Sequence, residues 1–221
     1  MTPQITSLSN DIPCVILSGG RSSRFGANKA LARVGGQRLI DRLIFRLEKQ
    51  TRGPIAINAP SRNGYALNER EFVADKLIGG IGPLSGLHAA LSWAQNIGAP
   101  CVITTPVDTP NIPQNYIERL AKSGPPSITL HNGRMHPLHG IWPVVLKDKL
   151  EAAIERGVRA AHAWVTEIEA TACVFEYTDG TDPFFNVNTA SDLFKVAPSW
   201  THTNSASMSK ENVKTTTPVK L

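Results

Sequence analysis

Arg21, Arg24 and Lys29 fall within nine residues, just after the adjacent glycines Gly19 and Gly20. Before them an apolar run, Cys14-Val15-Ile16-Leu17, stops at Ser18. Glycine lets a backbone approach a ligand closely, because no Cβ intervenes. Backbone N–H groups, Arg and Lys at a strand-to-helix junction suit phosphate oxygens. The chemistry expected here is the holding of a nucleotide's phosphates. Two common phosphate loops are excluded by spacing. A Walker A loop needs G-x-x-x-x-G-K-[ST], whereas five residues separate Gly20 from Gly26 and Lys29 comes three residues later. The dinucleotide pattern G-x-G-x-x-G is absent, since the two glycines adjoin.

A second constellation is Thr104-Thr105-Pro106-Val107-Asp108-Thr109-Pro110. Here a carboxylate follows an apolar run and is flanked by prolines that restrict the backbone. Mg²⁺ binds through one or two carboxylates plus substrate phosphates and water, and Asp108 suits that role. It stands five residues before Pro113, too early to be the N-cap of a helix opening there. His131, His136 and His139 form a third cluster, H-x₄-H-x₂-H. Zinc is one reading of it; no cysteine lies near, and local hydrogen bonding or ligand contact is the other.

The elements that must position these residues follow from periodicity. Residues 12–17 form a short continuous apolar run, as in a strand buried on both faces of a parallel sheet. Apolar positions 39, 40, 43, 44 and 47 predict an amphipathic helix ending before Gly53-Pro54. Further strands are expected over 55–58, 71–74, 100–105, 127–130, 138–142 and 172–177, and helices over 63–70, 84–95, 113–122, 144–155, 159–168 and 189–196. Residues 79–83 read as a flexible glycine-rich loop. Strand–helix alternation up to about residue 122 predicts a three-layer α/β/α sandwich with a mostly parallel, Rossmann-like sheet. In such sheets the site lies beyond the carboxyl ends of the strands. Ser18, Asn58, Asp75, Asp108 and Asn186/Asn188 each follow an expected strand closely or stand beyond the last one, so topology gathers them in one crevice.

At 221 residues the chain suits one domain with a substantial core. That domain is expected over 11–196, after a loose 1–10 segment. Residues 197–221 are rich in Ser, Thr and Lys without apolar periodicity, which predicts a disordered tail. The net charge of +5 is modest and spread along the chain, which argues against nucleic acid as partner and for a small anion. Cys14, Cys101 and Cys173 each sit in an apolar run and read as buried free thiols, not as a disulfide framework. Trp93, Trp142 and Trp164 read as core. No 18-residue apolar span and no basic-then-apolar leader are present, so a cytoplasmic, soluble protein without membrane partners is expected.

Written as a pattern, the first loop is L-[AS]-G-G-x-S-x-R-[MF]-G-x-[DN]-K, thirteen positions of which ten are defined. It resembles the N-terminal signature of nucleotidyltransferases with a GT-A-like fold. Over about residues 12–196 the chain resembles the molybdenum cofactor guanylyltransferases (the molybdopterin-guanine dinucleotide biosynthesis protein A family), which attach GMP to molybdopterin. The resemblance implies a Mg²⁺-dependent enzyme using GTP and molybdopterin. It implies guanine contacts at Leu17, Ser18, Gly19 and Gly20, and phosphate contacts at Arg24 and Lys29. Further nucleotide contacts are implied at Asn58, Asp75 and the Gly82-Pro83-Leu84-Ser85-Gly86 loop. Asp108 would be the magnesium ligand, acting in catalysis with Arg24 and Lys29. Asn186 and Asn188, in Phe185-Asn186-Val187-Asn188-Thr189, and His136 would face the pterin. Proteins that supply the pterin or take the product are further implied partners. The chain departs from the family at Ser18 for Ala, Phe25 for Met and Asn28 for Asp. None of these removes a cation, the carboxylate or a glycine.

Three other readings are weighed. A cytidylyltransferase on the same cofactor carries L-A-A-G and D-Q-P where this chain has Leu17-Ser18-Gly19-Gly20 and Asp108-Thr109-Pro110. A sugar-1-phosphate nucleotidyltransferase shares the first loop but fits the length and the closing asparagine motif less well. A non-catalytic nucleotide-binding module could keep the glycines, but would have no need of Lys29 and Asp108 together.

Overall fold

The computed structural model describes residues 11–19, 29–62, 65, 70–77, 82–177 and 182–196. The sequence expectations for residues 1–10, 78–81 and 197–221, and for most of 63–70, lie outside these, as do Gly20 and Arg24.

Alternation with period two builds the central sheet. In β1 (Cys14–Leu17), Cys14 and Ile16 enter one apolar core while Val15 and Leu17 enter another. The sheet must therefore be covered on both faces. It has seven strands: β4 (Ile55–Asn58), β5 (Glu71–Val73), β6 (Cys101–Pro106), β7 (Ser127–His131), β8 (Arg134–Pro143) and β9 (Thr171–Phe175) join β1 in the order β5-β4-β1-β6-β8-β7-β9. All neighbours run parallel except at β8, which is antiparallel to both β6 and β7. Chain order runs from β1 outward to β4 and β5, then returns to β6 on the other side of β1. That reversal makes a crevice at the carboxyl ends of β1 and β6.

One face carries α1 (Leu39–Glu48) and α3 (Tyr116–Ser123). Ile40, Leu43 and Leu47 pack with Ile117 and Leu120 over Ile16, Ile57 and Ile103. The other carries α2 (Pro83–Asn96), α4 (Lys147–Glu155) and α5 (Ala161–Glu167). There Leu87, Leu91, Leu150 and Trp164 pack over Val15, Ala56 and Val102. This is the three-layer α/β/α arrangement expected from the alternation. Cys14, Cys101 and Cys173 are buried free thiols, and Trp93, Trp142 and Trp164 are core residues, as expected.

A hairpin of β2 (Arg33–Val34) and β3 (Gln37–Arg38) precedes α1. Its turn, Gly35-Gly36, has positive φ at both residues (54° and 84°), which glycine adopts without a Cβ penalty.

Several boundaries differ from expectation. The helix expected over 113–122 starts at Tyr116, because Pro113 first closes a turn by accepting the Tyr116 amide (3.3 Å). The strand expected at 138–142 begins at Arg134, since Asn132 and Gly133 (φ 48° and 71°) reverse the chain directly from β7. The helix expected over 189–196 is α6 (Asp192–Val196), opened by a reciprocal cap. The Thr189 amide donates to Asp192 Oδ2 (2.9 Å), and the Asp192 amide donates to Thr189 Oγ1 (3.3 Å). Among the described residues, no helix is long and apolar enough to cross a membrane.

Candidate active site

Each strand bordering the crevice delivers one polar residue at or just past its end. Ser18 and Gly19 follow β1, Asn58 ends β4, Asp75 follows β5, and Asp108 follows β6. Backbone bonds fix their relative heights. The Ser18 amide donates to the Asn58 carbonyl (2.8 Å) and the Val107 amide to the Leu17 carbonyl (3.0 Å).

Two polar groupings result. The first is centred on Asn58, whose side chain is buried. Asn58 Nδ2 donates to Asp75 Oδ1 (2.8 Å) and to the Val73 carbonyl (3.0 Å). Its Oδ1 then lies against two glycines. A Cβ on Gly86 would sit 2.7 Å from Asn58 Oδ1, and one on Gly19 would sit 3.5 Å away. The narrow gap therefore depends on Gly86, at the start of α2. Gly82, Pro83 and Leu84 open that helix, with Gly82 at φ 79° and Pro83 where a missing N–H costs nothing. Ser85 joins helix to carboxylate: its Oγ is 2.8 Å from Asp75 Oδ2 and 2.7 Å from the Gly82 carbonyl. Both Asp75 oxygens thus have a donor within reach.

The second grouping is centred on Lys29, in a 3₁₀ turn (Lys29–Leu31). Lys29 Nζ donates to Asp108 Oδ2 (3.2 Å) and to Asn188 Oδ1 (2.9 Å). The Val187 amide donates to the Asp108 carbonyl (2.8 Å), pinning the segment that carries Asn186 and Asn188 against β6. Asp192 Oδ2 accepts the Asn188 amide (3.0 Å). Lys195, with the Asn188 and Thr189 donors, holds the Asp192 carboxyl down at about 2, so the clamp stays ionised. Asn186 is half-buried beside Val187.

Asp108 Oδ1 is buried and has no hydrogen-bond partner among the described residues. A buried, unpartnered carboxylate oxygen at a phosphate-type site fits a divalent cation, which such ions hold through one or two carboxylates. Among the described residues, no cluster of three His, Cys, Asp or Glu side chains could hold a metal by itself. The zinc reading of the three histidines therefore finds no support.

Those histidines instead surround Phe184. Ring centroids of His131, His136 and His139 lie 5.6, 5.2 and 5.4 Å from it. His139 Nδ1 and Nε2 face the hydroxyls of Thr105 (3.2 Å) and Thr109 (3.0 Å), so it braces the turn that carries Asp108. Burial holds it well below its ordinary range, as a neutral ring. His136 is also buried. Burial, with Arg134 adding to it, lowers His136 to about 4. His131 Nδ1 is 2.7 Å from the Phe175 carbonyl.

The crevice thus unites Ser18, Gly19, Asn58, Asp75, Gly82 and Pro83 on one side of β1, and Lys29, Asp108 and Asn188 at β6, whereas Leu17 and Leu84 are buried in the apolar core beneath α2. Sequence reading placed Ser85 in the Gly82–Gly86 loop and His139 in the histidine cluster without their bonds to Asp75 and to the Asp108 turn, and it missed Tyr65, whose hydroxyl is 2.6 Å from Ser18 Oγ. Ser85 did carry a signal, since a hydroxyl there can reach back to the helix start. Tyr65 carried none.

An α/β sheet of this order, with a carboxylate, a lysine and two glycines close to Asn58 at its switch point, is built to take a ligand beyond the carboxyl ends of its strands. The MobA-like NTP transferase domain matches residues 14–171. Molybdenum cofactor guanylyltransferases of Sinorhizobium fredii and Rhizobium meliloti are each 38% identical over 200 residues, covering 85% of this chain and 91% of theirs. The solved molybdopterin-guanine dinucleotide biosynthesis protein A of Archaeoglobus fulgidus shares the fold (TM-score 0.66, 23% identity, 86% of this chain and 100% of that one). The chain belongs to the molybdenum cofactor guanylyltransferase family.

Proposed function

We propose that this enzyme transfers GMP from GTP to the terminal phosphate of molybdopterin, releasing pyrophosphate and forming molybdopterin guanine dinucleotide. The observation that carries this reading is Lys29 held between Asp108 and Asn188, beside the unpartnered Asp108 Oδ1.

A lysine ammonium has three donors. Two already point to Asp108 and Asn188, and the third is left for a phosphate oxygen of GTP. Arg24 supplies a second cation to the triphosphate. Asp108 offers Oδ1 to Mg²⁺, which when bound neutralises phosphate charge at the reacting centre. The acceptor phosphate attacks the α-phosphorus in line, the α–β bridging P–O bond breaks, and pyrophosphate leaves. The protein forms no covalent bond; it contributes alignment and fixed positive charge. Leu17, Ser18, Gly19, Gly20, Asn58, Asp75 and the Gly82-Pro83-Leu84 helix start form the guanine and ribose side. His136, Asn186 and Asn188 form the pterin side, next to Phe184. Residues 11–196 act as one domain in the cytoplasm, where thiols such as those of Cys14, Cys101 and Cys173 stay reduced.

The Leu17-Ser18-Gly19-Gly20 and Asp108-Thr109-Pro110 spellings favour GTP over CTP. The test is pyrophosphate release with molybdopterin and each of the four nucleoside triphosphates. Release with GTP and Mg²⁺ is expected; release with CTP instead overturns the guanine assignment, and release with none overturns the catalytic one.

A further inference from the structure

Tyr65 has no part in the roles assigned above, yet it is bonded to both flanks of the first loop. Its side chain is 1% exposed and packs edge-on against Phe72, with ring centroids 5.3 Å apart at 73°. Its Oη lies 2.6 Å from Ser18 Oγ, at the exit of β1. Its carbonyl accepts from Arg38 Nη1, at the end of the hairpin that follows Lys29. Arg38 is itself fixed by a two-pronged pair with Asp41, Nε to Oδ2 at 2.7 Å and Nη2 to Oδ1 at 2.6 Å. A bidentate guanidinium–carboxylate pair fixes orientation as well as distance. One residue therefore ties Ser18, which precedes the glycine pair, to the Arg38–Asp41 pair that closes the hairpin behind Lys29.

The Ser18 backbone amide is already committed to the Asn58 carbonyl, so the Ser18 hydroxyl adds a second and orthogonal constraint. An alanine at this position would leave only the backbone bond.

We propose that Tyr65 is a positioning residue for nucleotide binding, acting through Ser18 to fix the Leu17–Gly19 backbone against the purine nucleotide. The inference rests on the nucleotide assignment above. The Tyr65 hydroxyl touches no reacting atom. Its loss leaves the stretch beside the base with more conformations, and the nucleotide must select one, which weakens binding. The chemical step, set by Lys29 and Asp108, is untouched.

The experiment is a double-mutant cycle of Tyr65→Phe and Ser18→Ala. Each single variant is expected to raise KM for GTP about threefold to tenfold, with kcat within twofold of the parent. The double variant should be no worse than either single, because both remove one hydroxyl–hydroxyl bond. Two outcomes overturn the proposal: KM unchanged in the singles, or a double variant whose effect is the product of both. A lower melting temperature with unchanged KM would mean that Tyr65 is only a core residue. Should Tyr65→Phe melt early, KM is measured at a temperature at which that variant is fully folded; Ser18 itself flanks the nucleotide, so Ser18→Ala is read only through its coupling to Tyr65→Phe. If the parent enzyme proves to use CTP, the same cycle is run with CTP; the guanine assignment then falls while the brace is still tested.

Discussion

Lys29 Nζ lies 3.2 Å from Asp108 Oδ2, across 79 residues of sequence. The pair is partly buried, with side-chain exposures of 15% and 26%. The same ammonium also reaches Asn188 Oδ1 (2.9 Å), and the other oxygen of the carboxylate, Oδ1, is buried without a hydrogen-bond partner among the described residues. On the proposed reading that oxygen is kept for a metal ion.

Removing the carboxylate separates those two uses. Asp108→Ala is expected to lower kcat at least a hundredfold, corresponding to a barrier increase of about 3 kcal/mol. The fold should persist, because Val187 bonds the Asp108 backbone carbonyl and not the side chain. Thermal shift is the second readout: GTP with Mg²⁺ should raise the melting temperature of the parent and not of Asp108→Ala. Near-normal turnover in the variant would refute the metal role. Lys29→Ala should fall similarly in pyrophosphate release.

The gap at Gly86 makes a steric prediction. Gly86→Ala places a Cβ 2.7 Å from Asn58 Oδ1. Asn58 is buried and tied by its amide to Val73 and Asp75, so it cannot swing aside without breaking those bonds. Overpacking of this kind costs about 1–3 kcal/mol. A melting temperature lower by several degrees and a KM for GTP raised about tenfold are expected. An unchanged KM would remove Asn58 and Gly86 from the nucleotide side.

Ser85 lies 2.8 Å from Asp75 Oδ2 and 2.7 Å from the Gly82 carbonyl, but a hydroxyl has one hydrogen to donate. Among the described residues, Ser85→Ala leaves Asp75 with the Asn58 donor alone. Bonds to a charged partner contribute about 1.5–3 kcal/mol. Part of that is expected as a threefold to tenfold loss in GTP affinity by calorimetry, with kcat preserved. Loss of kcat without loss of affinity would count against it.

The pH dependence of stability follows from His136 and His139. In the unfolded chain both take up protons as pH falls below the ordinary 6.5. In the folded protein burial delays this to about 4 for His136, and holds His139 well below its ordinary range. Between these values the unfolded state binds more protons, so stability falls as pH falls. Their contribution is constant above about pH 7. Denaturant titrations from pH 7.5 to 4.5 should show this decline, and His136→Gln should flatten it. An unchanged slope in His136→Gln would mean that His136 is not held neutral by the fold.

Much of the crevice is legible in the residue order, because a parallel sheet forces strand ends to one edge. Ser18, Asn58, Asp75 and Asp108 each follow a short apolar run, and no three-dimensional information is needed to align them. The reversal between β7 and β8 was also written locally, as Asn132-Gly133, a pair suited to positive φ at both positions. Other features depend on contacts that no local pattern encodes. Lys29 meets Asn188 across 159 residues, and Ser18 meets Tyr65 across 47. Tyr65 stands in a stretch read as helical, where a buried tyrosine looks like any core aromatic. Zinc is one reading of the histidine spacing because spacing reveals proximity and not what lies between. What lies between them is Phe184.

The single reversed strand has a consequence for how such an enzyme can change. Because β8 opposes its neighbours, it brings its beginning, with His136 and His139, to the edge where β1, β4, β5 and β6 bring their ends. On the proposed reading, the donor half of the crevice is thus fixed by strand termini that also hold the sheet's centre, and the acceptor half hangs on a two-residue turn at Asn132-Gly133 and on the peripheral 182–188 segment. Insertions at that turn would reshape the acceptor wall while leaving the nucleotide wall in register.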